Sequence, residues 1–309
     1  MTWTVADIPS QLGRSAVVTG VGGLGYEAGL ALARAGCDVV LAGRNAAKGQ
    51  ASVERIRAAA AGATVRFELL DLACLASVAA FATRMIGARR PLDILVNNAG
   101  VMSVPLRRQT ADGFELQFGT NYLGHFALTL RLLPLLLSAN APRVVGVSSL
   151  AHRRGSIDFD DLQAERRYQP GRAYAQSKLA MLMFPFELDR RAQAAGSRLV
   201  STAAHPGVAR TDLFTNGPGT RGLGPRIARL LLPLISHSAA EGALPILFAA
   251  TAPEARPGGY YGPSRRFGMI GPVGEAAVAP QALDIAVARR LWDVSQELTG
   301  LTASFTRRE

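Results

Sequence analysis

Residues 15–35 read SAVVTGVGGLGYEAGLALARA. The first five form a short, largely β-branched run that ends in glycines, which predicts a buried strand. From Gly25 to Ala35 the chain is rich in alanine and leucine and holds no proline, which predicts a helix. Between them Gly20, Gly22 and Gly25 satisfy G-x-G-x-x-G. Glycines let a backbone approach a pyrophosphate closely. The N-terminus of the following helix adds unpaired N–H groups and the positive end of its dipole. Between the first strand and first helix of an α/β chain, the motif favours dinucleotide binding over a plain tight turn.

The same alternation continues outward. Residues 38–41, 64–69, 92–96, 143–147 and 198–203 read as strands. Residues 46–61, 75–86, 111–137 and 173–195 read as helices, and 281–298 as a terminal helix. Short apolar strands alternating with helices imply a doubly wound parallel sheet covered on both faces, with its ligand beyond the carboxyl ends of the strands. No repeat or linker divides the chain. One domain over 1–309 is expected, with a cofactor half at about 14–150 and a catalytic and substrate half at about 151–300.

Composition narrows the classes. Of 309 residues 49% are hydrophobic and 18% charged, enough to bury a full core. The net charge of +11 invites a nucleic-acid partner, but the pattern argues against one. The arginines are scattered, and no basic tail or aromatic-interleaved basic stretch occurs. Among 34 basic residues the only lysines are Lys48 and Lys178. Cys37 and Cys74 form neither a disulfide framework nor a zinc site, so no metal is expected. Residues 1–9 do not read as a secretory leader, and no apolar stretch reads as a membrane span, so a cytoplasmic protein is expected.

The end of the second strand reads Leu41-Ala42-Gly43-Arg44-Asn45. An NAD site usually carries a carboxylate there for the ribose hydroxyls. Arg44 instead suits a 2′-phosphate, so NADP(H) is preferred over NAD(H). Asp71, after the third strand, is a candidate contact to the adenine amine, with a helix cap as the competing role. Gly23 and Leu24 in the glycine loop, Asn45 beside Arg44 and Leu72 beside Asp71 complete this end.

Tyr174-Ala175-Gln176-Ser177-Lys178 carries the chemistry. Four residues apart on a helix, Tyr174 and Lys178 share a face. A phenol is a poor base at neutral pH, and a neighbouring ammonium favours its phenolate. Where arginine has replaced nearly every lysine, Lys178 is less apt to be incidental. Its company is Asn97-Asn98-Ala99-Gly100 after the fourth strand, Asn121 in a helical stretch, Ser148-Ser149 after the fifth strand and His205-Pro206-Gly207-Val208, then Thr211, after the sixth.

With these motifs in this order, the chain resembles the short-chain dehydrogenase/reductase family, and within it the retinol-dehydrogenase-like branch, from about Arg14 to Leu298. The resemblance implies a single Rossmann-type domain with about seven parallel strands. It implies that Tyr174 gives or takes the proton at the substrate oxygen, and that Ser149, the second of its pair, polarises the carbonyl. By the same resemblance Lys178 binds the nicotinamide ribose and lowers the Tyr174 pKa, and Asn121 holds a water that relays protons to Lys178. Asn98, Ala99 and Gly100 would line the cofactor, with Pro206, Gly207, Val208 and Thr211 near the nicotinamide.

Three departures stand out. The loop from Gly20 to Gly25 is one residue shorter than the family's TGxxxGxG, yet the general fingerprint survives. Pro185 falls inside the helix of Tyr174 and predicts a kink, at a place where the family often pairs subunits; a homo-oligomer is left open. The insert at 151–172 bears five arginines and reads as a solvated basic loop, an acidic substrate being the other reading. Residues 209–235, with Leu213, Phe214, Leu223, Ile227, Leu230, Leu231 and Leu232, read either as a cover for an apolar, bulky substrate or as packing against the body. The expected function is NADP(H)-dependent interconversion of a carbonyl and an alcohol. The alternatives are C=C reduction or redox-assisted dehydration or epimerisation at the same site, and a non-catalytic NADP-binding sensor or scaffold.

Overall fold

Both faces of the central sheet are apolar, which is why its strands read as nearly continuous hydrophobic runs. The computed structural model describes residues 2–210 and 236–305. The strands are β1 (Ser15–Thr19), β2 (Asp38–Gly43), β3 (Val65–Leu69), β4 (Ile94–Asn97), β5 (Arg143–Val147), β6 (Val200–Ala204), β7 (Tyr260–Arg265) and β8 (Ile270–Glu275). They form one sheet in the order β3-β2-β1-β4-β5-β6-β7-β8. The helices are α1 (Gly23–Arg34), α2 (Ala46–Ala59), α3 (Leu75–Gly87), the single turn α4 (Leu116–Phe118), α5 (Gly124–Ser138), α6 (Pro170–Ala194), α7 (Ala239–Thr251) and α8 (Ile285–Thr299).

Alternate strand residues serve two cores. Val17, Val40, Leu95 and Val144 pack with α3, α5, α6 and α8. Ala16, Val18, Leu41, Val96 and Val145 pack with α1, α2 and α7. The strand order reverses between β1 and β4, and a crevice opens there beyond the strand ends.

The sheet exceeds the expected seven strands by one. β8 is antiparallel to β7, with Tyr261 opposite Glu275 and Pro263 opposite Val273. Pro263, Pro272 and several glycines hid this hairpin in the sequence; proline is tolerated because the pair lies at the sheet edge. The turn between the strands has φ of 49° at Arg266, 59° at Phe267 and 85° at Gly268.

The helix expected over 111–137 is also divided. A π turn, Gly119–Leu123, joins α4 to α5, and the Gly124 N–H donates back to the Gly119 carbonyl. α6 accommodates Pro185 within one helical span, Pro170–Ala194. The reason lies across the interface. A Cβ at Gly146 on β5 would stand 2.5 Å from Pro185 Cγ and 3.2 Å from the Met181 carbonyl, which lacks an N–H partner at Pro185. The bare glycine gives the ring and that carbonyl their space.

Candidate active site

The glycine loop turns because Gly20 and Gly23 take positive φ, 93° and 50°. Gly25 follows on α1, where a side chain would collide with the Gly20 carbonyl. Gly22 caps α1 without any side-chain hydrogen bond, and in the first turn the Gly25 N–H donates to the Gly22 carbonyl at 3.1 Å. A cleft of about 450 Å³ opens here, lined by Gly20, Gly22, Gly23 and Leu24.

Arg44, Asn45, Asp71 and Leu72 line the cleft. Lys48 joins them, a residue the sequence reading passed over. Its rarity was the available signal, since it is the other lysine of the chain. Asn45 caps α2 by accepting from the Lys48 N–H at 2.9 Å, which orients this turn. Asp71 does not cap α3; its Oδ1 accepts from the Ala73 N–H at 2.9 Å.

Asn98, Ala99 and Gly100 form the opposite wall. One hydroxyl holds them. Thr19 Oγ1, fully buried, accepts from the Asn98 N–H at 2.8 Å and the Ala99 N–H at 2.9 Å. Asn98 Nδ2 also donates to the Thr19 carbonyl at 2.8 Å. The Thr19 oxygen lies 2.9 Å from His125 Nε2, and His125 Nδ1 lies 3.0 Å from the Asn121 carbonyl. A carbonyl only accepts, so Nδ1 carries the proton and Nε2 accepts the Thr19 hydroxyl. Burial keeps this imidazole neutral, pushing its pKa down to about 4. His125 was missed because a lone histidine in a helical stretch carries no motif.

Asn121 sits in the π turn and is fully buried. Its side chain donates to the Val101 carbonyl and to Ser177 Oγ, both at 2.9 Å, and accepts from the Val101 N–H at 2.7 Å. It does not line the cleft but stands behind Gly100, where a Cβ would come within 2.9 Å of Asn121 Oδ1 and 3.7 Å of Lys178 Nζ.

Ser149, Tyr174 and Lys178 line the same cleft. The paired serines diverge. Ser148 Oγ donates to the Lys178 carbonyl at 2.7 Å, whereas Ser149 remains half-buried and caps a short turn. Lys178 is buried, and its Nζ donates to the Val147 carbonyl at 2.9 Å. Burial pushes its pKa down to about 8. Nζ lies 6.0 Å from the centre of the Tyr174 ring. The net direction at Tyr174 differs from the expected one: burial holds the phenol above its ordinary value, and the Ser149 hydroxyl pulls the other way. Pro206 and Gly207 line the cleft, whereas Val208 does not; its N–H donates to the Met269 carbonyl at 2.9 Å. Thr211 and the rest of the cover segment, residues 211–235, lie outside the described residues.

Among the described residues no group of acidic, histidine and cysteine side chains could hold a metal ion, and no helix is long and apolar enough to cross a membrane.

Comparison with known proteins agrees with this geometry. The short chain dehydrogenase family matches residues 14–222. The chain is 41% identical over 307 residues to retinol dehydrogenase 13 of Homo sapiens, covering 96% of this chain and 88% of that one. It matches the crystal structure of an uncharacterized protein from Mycobacterium Paratuberculosis with a TM-score of 0.82 at 40% identity, over 98% of this chain and 100% of that one. A short chain dehydrogenase from Shigella flexneri, complexed with NADP, matches with a TM-score of 0.63 at 26% identity, over 81% of this chain and 97% of that one.

Proposed function

The chain belongs to the short chain dehydrogenase family of oxidoreductases, and on that premise we propose that it interconverts a carbonyl and an alcohol with NADP(H). The observation that carries the reading is the convergence of Ser149, Tyr174 and Lys178 on the same cleft as the glycine loop. The cleft suits a dinucleotide. Gly20, Gly22 and Gly23 line it without side chains, and the N-terminus of α1 has no side-chain cap. Arg44 and Lys48, with no carboxylate at the end of β2, favour a 2′-phosphate. The NADP of the Shigella flexneri relative supports the same preference.

When bound, the nicotinamide supplies or accepts the hydride. The rest is protein chemistry. Ser149 holds the substrate oxygen. Tyr174, kept protonated at neutral pH by its burial, donates to that oxygen during reduction. Lys178 holds the nicotinamide ribose and returns a proton to Tyr174; a pKa of about 8 suits it to both tasks. Asn121 positions the wall behind Lys178 and ends the proton path.

Calorimetric titration with NADPH and NADH, followed by turnover of simple aldehydes and ketones, tests this. We expect tighter binding of NADPH. Tyr174→Phe should cut turnover at least about a hundredfold with little change in cofactor affinity. Binding of neither nucleotide would overturn the reading, and retained turnover in Tyr174→Phe would remove the assigned acid.

A further inference from the structure

Tyr174 faces two cavities. Besides the cofactor cleft, it lines an open cavity of about 630 Å³ on the side of the insert. Leu150, Ala175 and Met269 give this second cavity apolar walls, and Phe267 stands at its edge. Arg153, Arg154 and Arg172 complete it, and no Asp or Glu is among the described residues that line it.

The three arginines are not equivalent. Arg172 is neutralised by Asp158 at 3.1 Å. Arg153 donates through Nη1 to the Phe267 carbonyl at 2.9 Å, which fixes its head but leaves its charge uncompensated. The Arg154 side chain is exposed and makes no hydrogen bond or ion pair among the described residues. Phe267 is 87% exposed, the most exposed large apolar side chain described. It is held there by a left-handed backbone that an aromatic residue seldom adopts. The Arg153 bond to its carbonyl ties that turn to the chain leaving β5, and the Val208 bond to Met269 ties it to the chain leaving β6. An apolar wall, an outward-held aromatic lip and two uncompensated guanidinium groups therefore border the proposed acid.

We propose that this second cavity is the substrate site and that it selects amphipathic carbonyl compounds bearing an anionic group, carboxylate or phosphate, remote from the reacting carbon. The proposal rests on the oxidoreductase reading above. The apolar body of the substrate lies between Leu150, Met269 and Phe267. Its carbonyl reaches Tyr174, and its anionic end meets Arg153 and Arg154, whose planar forks match carboxylate and phosphate oxygens.

The test compares a medium-chain aldehyde ending in a carboxylate with its methyl ester and with the matching monophosphate, each reduced to the alcohol with NADPH as reductant. An exposed ion pair contributes up to about fivefold, so two should favour the carboxylate over the ester by about tenfold in kcat/KM, mainly through KM. The ratio should fall toward one in Arg153→Gln/Arg154→Gln and as salt is raised. Because it is a ratio within one protein preparation, partial misfolding of the variant cancels. A higher ratio for the phosphate than for the carboxylate would assign the site to phosphorylated substrates.

Measurable turnover with a ratio near one would overturn the proposal and leave the oxidoreductase reading intact. Absence of turnover with all three compounds would count against that reading instead. Displacement of a fluorescent fatty acid by the acid and by the ester then decides the binding question. Equal displacement overturns the proposal, and stronger displacement by the acid supports it.

Discussion

Replacing Thr19 with valine keeps the β-branched shape in β1 and removes one buried hydroxyl. That oxygen serves four neighbours: it accepts from the Asn98 and Ala99 N–H groups, lies 2.9 Å from His125 Nε2 and 3.3 Å from the Val96 carbonyl. The Asn98 N–H retains a second partner, the Val96 carbonyl at 3.1 Å, so it is not stranded. The Ala99 N–H and His125 Nε2 are. A buried group left without a partner costs about 1–3 kcal/mol, so the two together should cost roughly 3 kcal/mol. For a chain of this size that lowers Tm by roughly 5 °C. Thr19→Ser, which keeps the hydroxyl, should lose far less. The assay is calorimetric melting of both variants and of Thr19→Val combined with His125→Leu. Because the residues share a bond, the double variant should be less destabilised than the summed singles by about 1 kcal/mol. Melting of Thr19→Val within about 2 °C of the parent, or strict additivity in the double variant, would refute the network described above.

Acid should weaken the fold earlier than its carboxylates require. Burial holds His125 at about 4 and His205 at about 3, both below the ordinary value of 6.5. Their contribution is therefore present above pH 6.5 and is lost as pH falls toward the folded values. Linkage gives a loss on the order of 4 kcal/mol between about pH 8 and pH 5. Urea midpoints across that window check it, and a flat profile would contradict the buried, neutral state of both rings. Gly25→Ala should cut NADPH affinity at least about tenfold and destabilise by about 1–3 kcal/mol, because the new methyl meets the Gly20 carbonyl. Gly87→Ala, at the end of α3 with open space around it, should be neutral or slightly stabilising, and the two melting curves make the comparison.

The cofactor-side strands were legible because their pattern is local. Ser15–Thr19 and Arg143–Val147 occupy the positions that their apolar runs predict. The final hairpin was not legible. Its prolines and glycines argue against strands in isolation, and only the neighbouring β6 edge makes them one. The π turn was invisible because a single extra backbone residue leaves the apolar pattern of a helix nearly intact. At the site, the convergence of Tyr174, Lys178, Ser149 and the glycine loop on one cleft was readable, because Tyr174 and Lys178 are four apart on one helix while the glycines and Ser149 follow strands. His125 and Lys48 contribute through tertiary position alone. The raised pKa at Tyr174 was unreadable for a related reason: burial, which outweighs the Ser149 hydrogen bond there, belongs to the fold and not to the motif.

The fit between Gly146 and Pro185 also constrains the paths by which such a sequence can arise. A glycine at 146 facing a non-proline residue at 185 leaves a small gap and an ordinary helix. Proline at 185 facing any residue with a Cβ at 146 meets a collision at 2.5 Å. One intermediate is merely loosely packed, and the other is blocked. The two substitutions are therefore ordered, with glycine first, and once proline is in place the return to a larger residue at 146 is closed until the proline is removed. A contact buried between strand and helix thus acts as a ratchet on sequence change, one residue along β5 from the Val147 carbonyl that holds Lys178 Nζ.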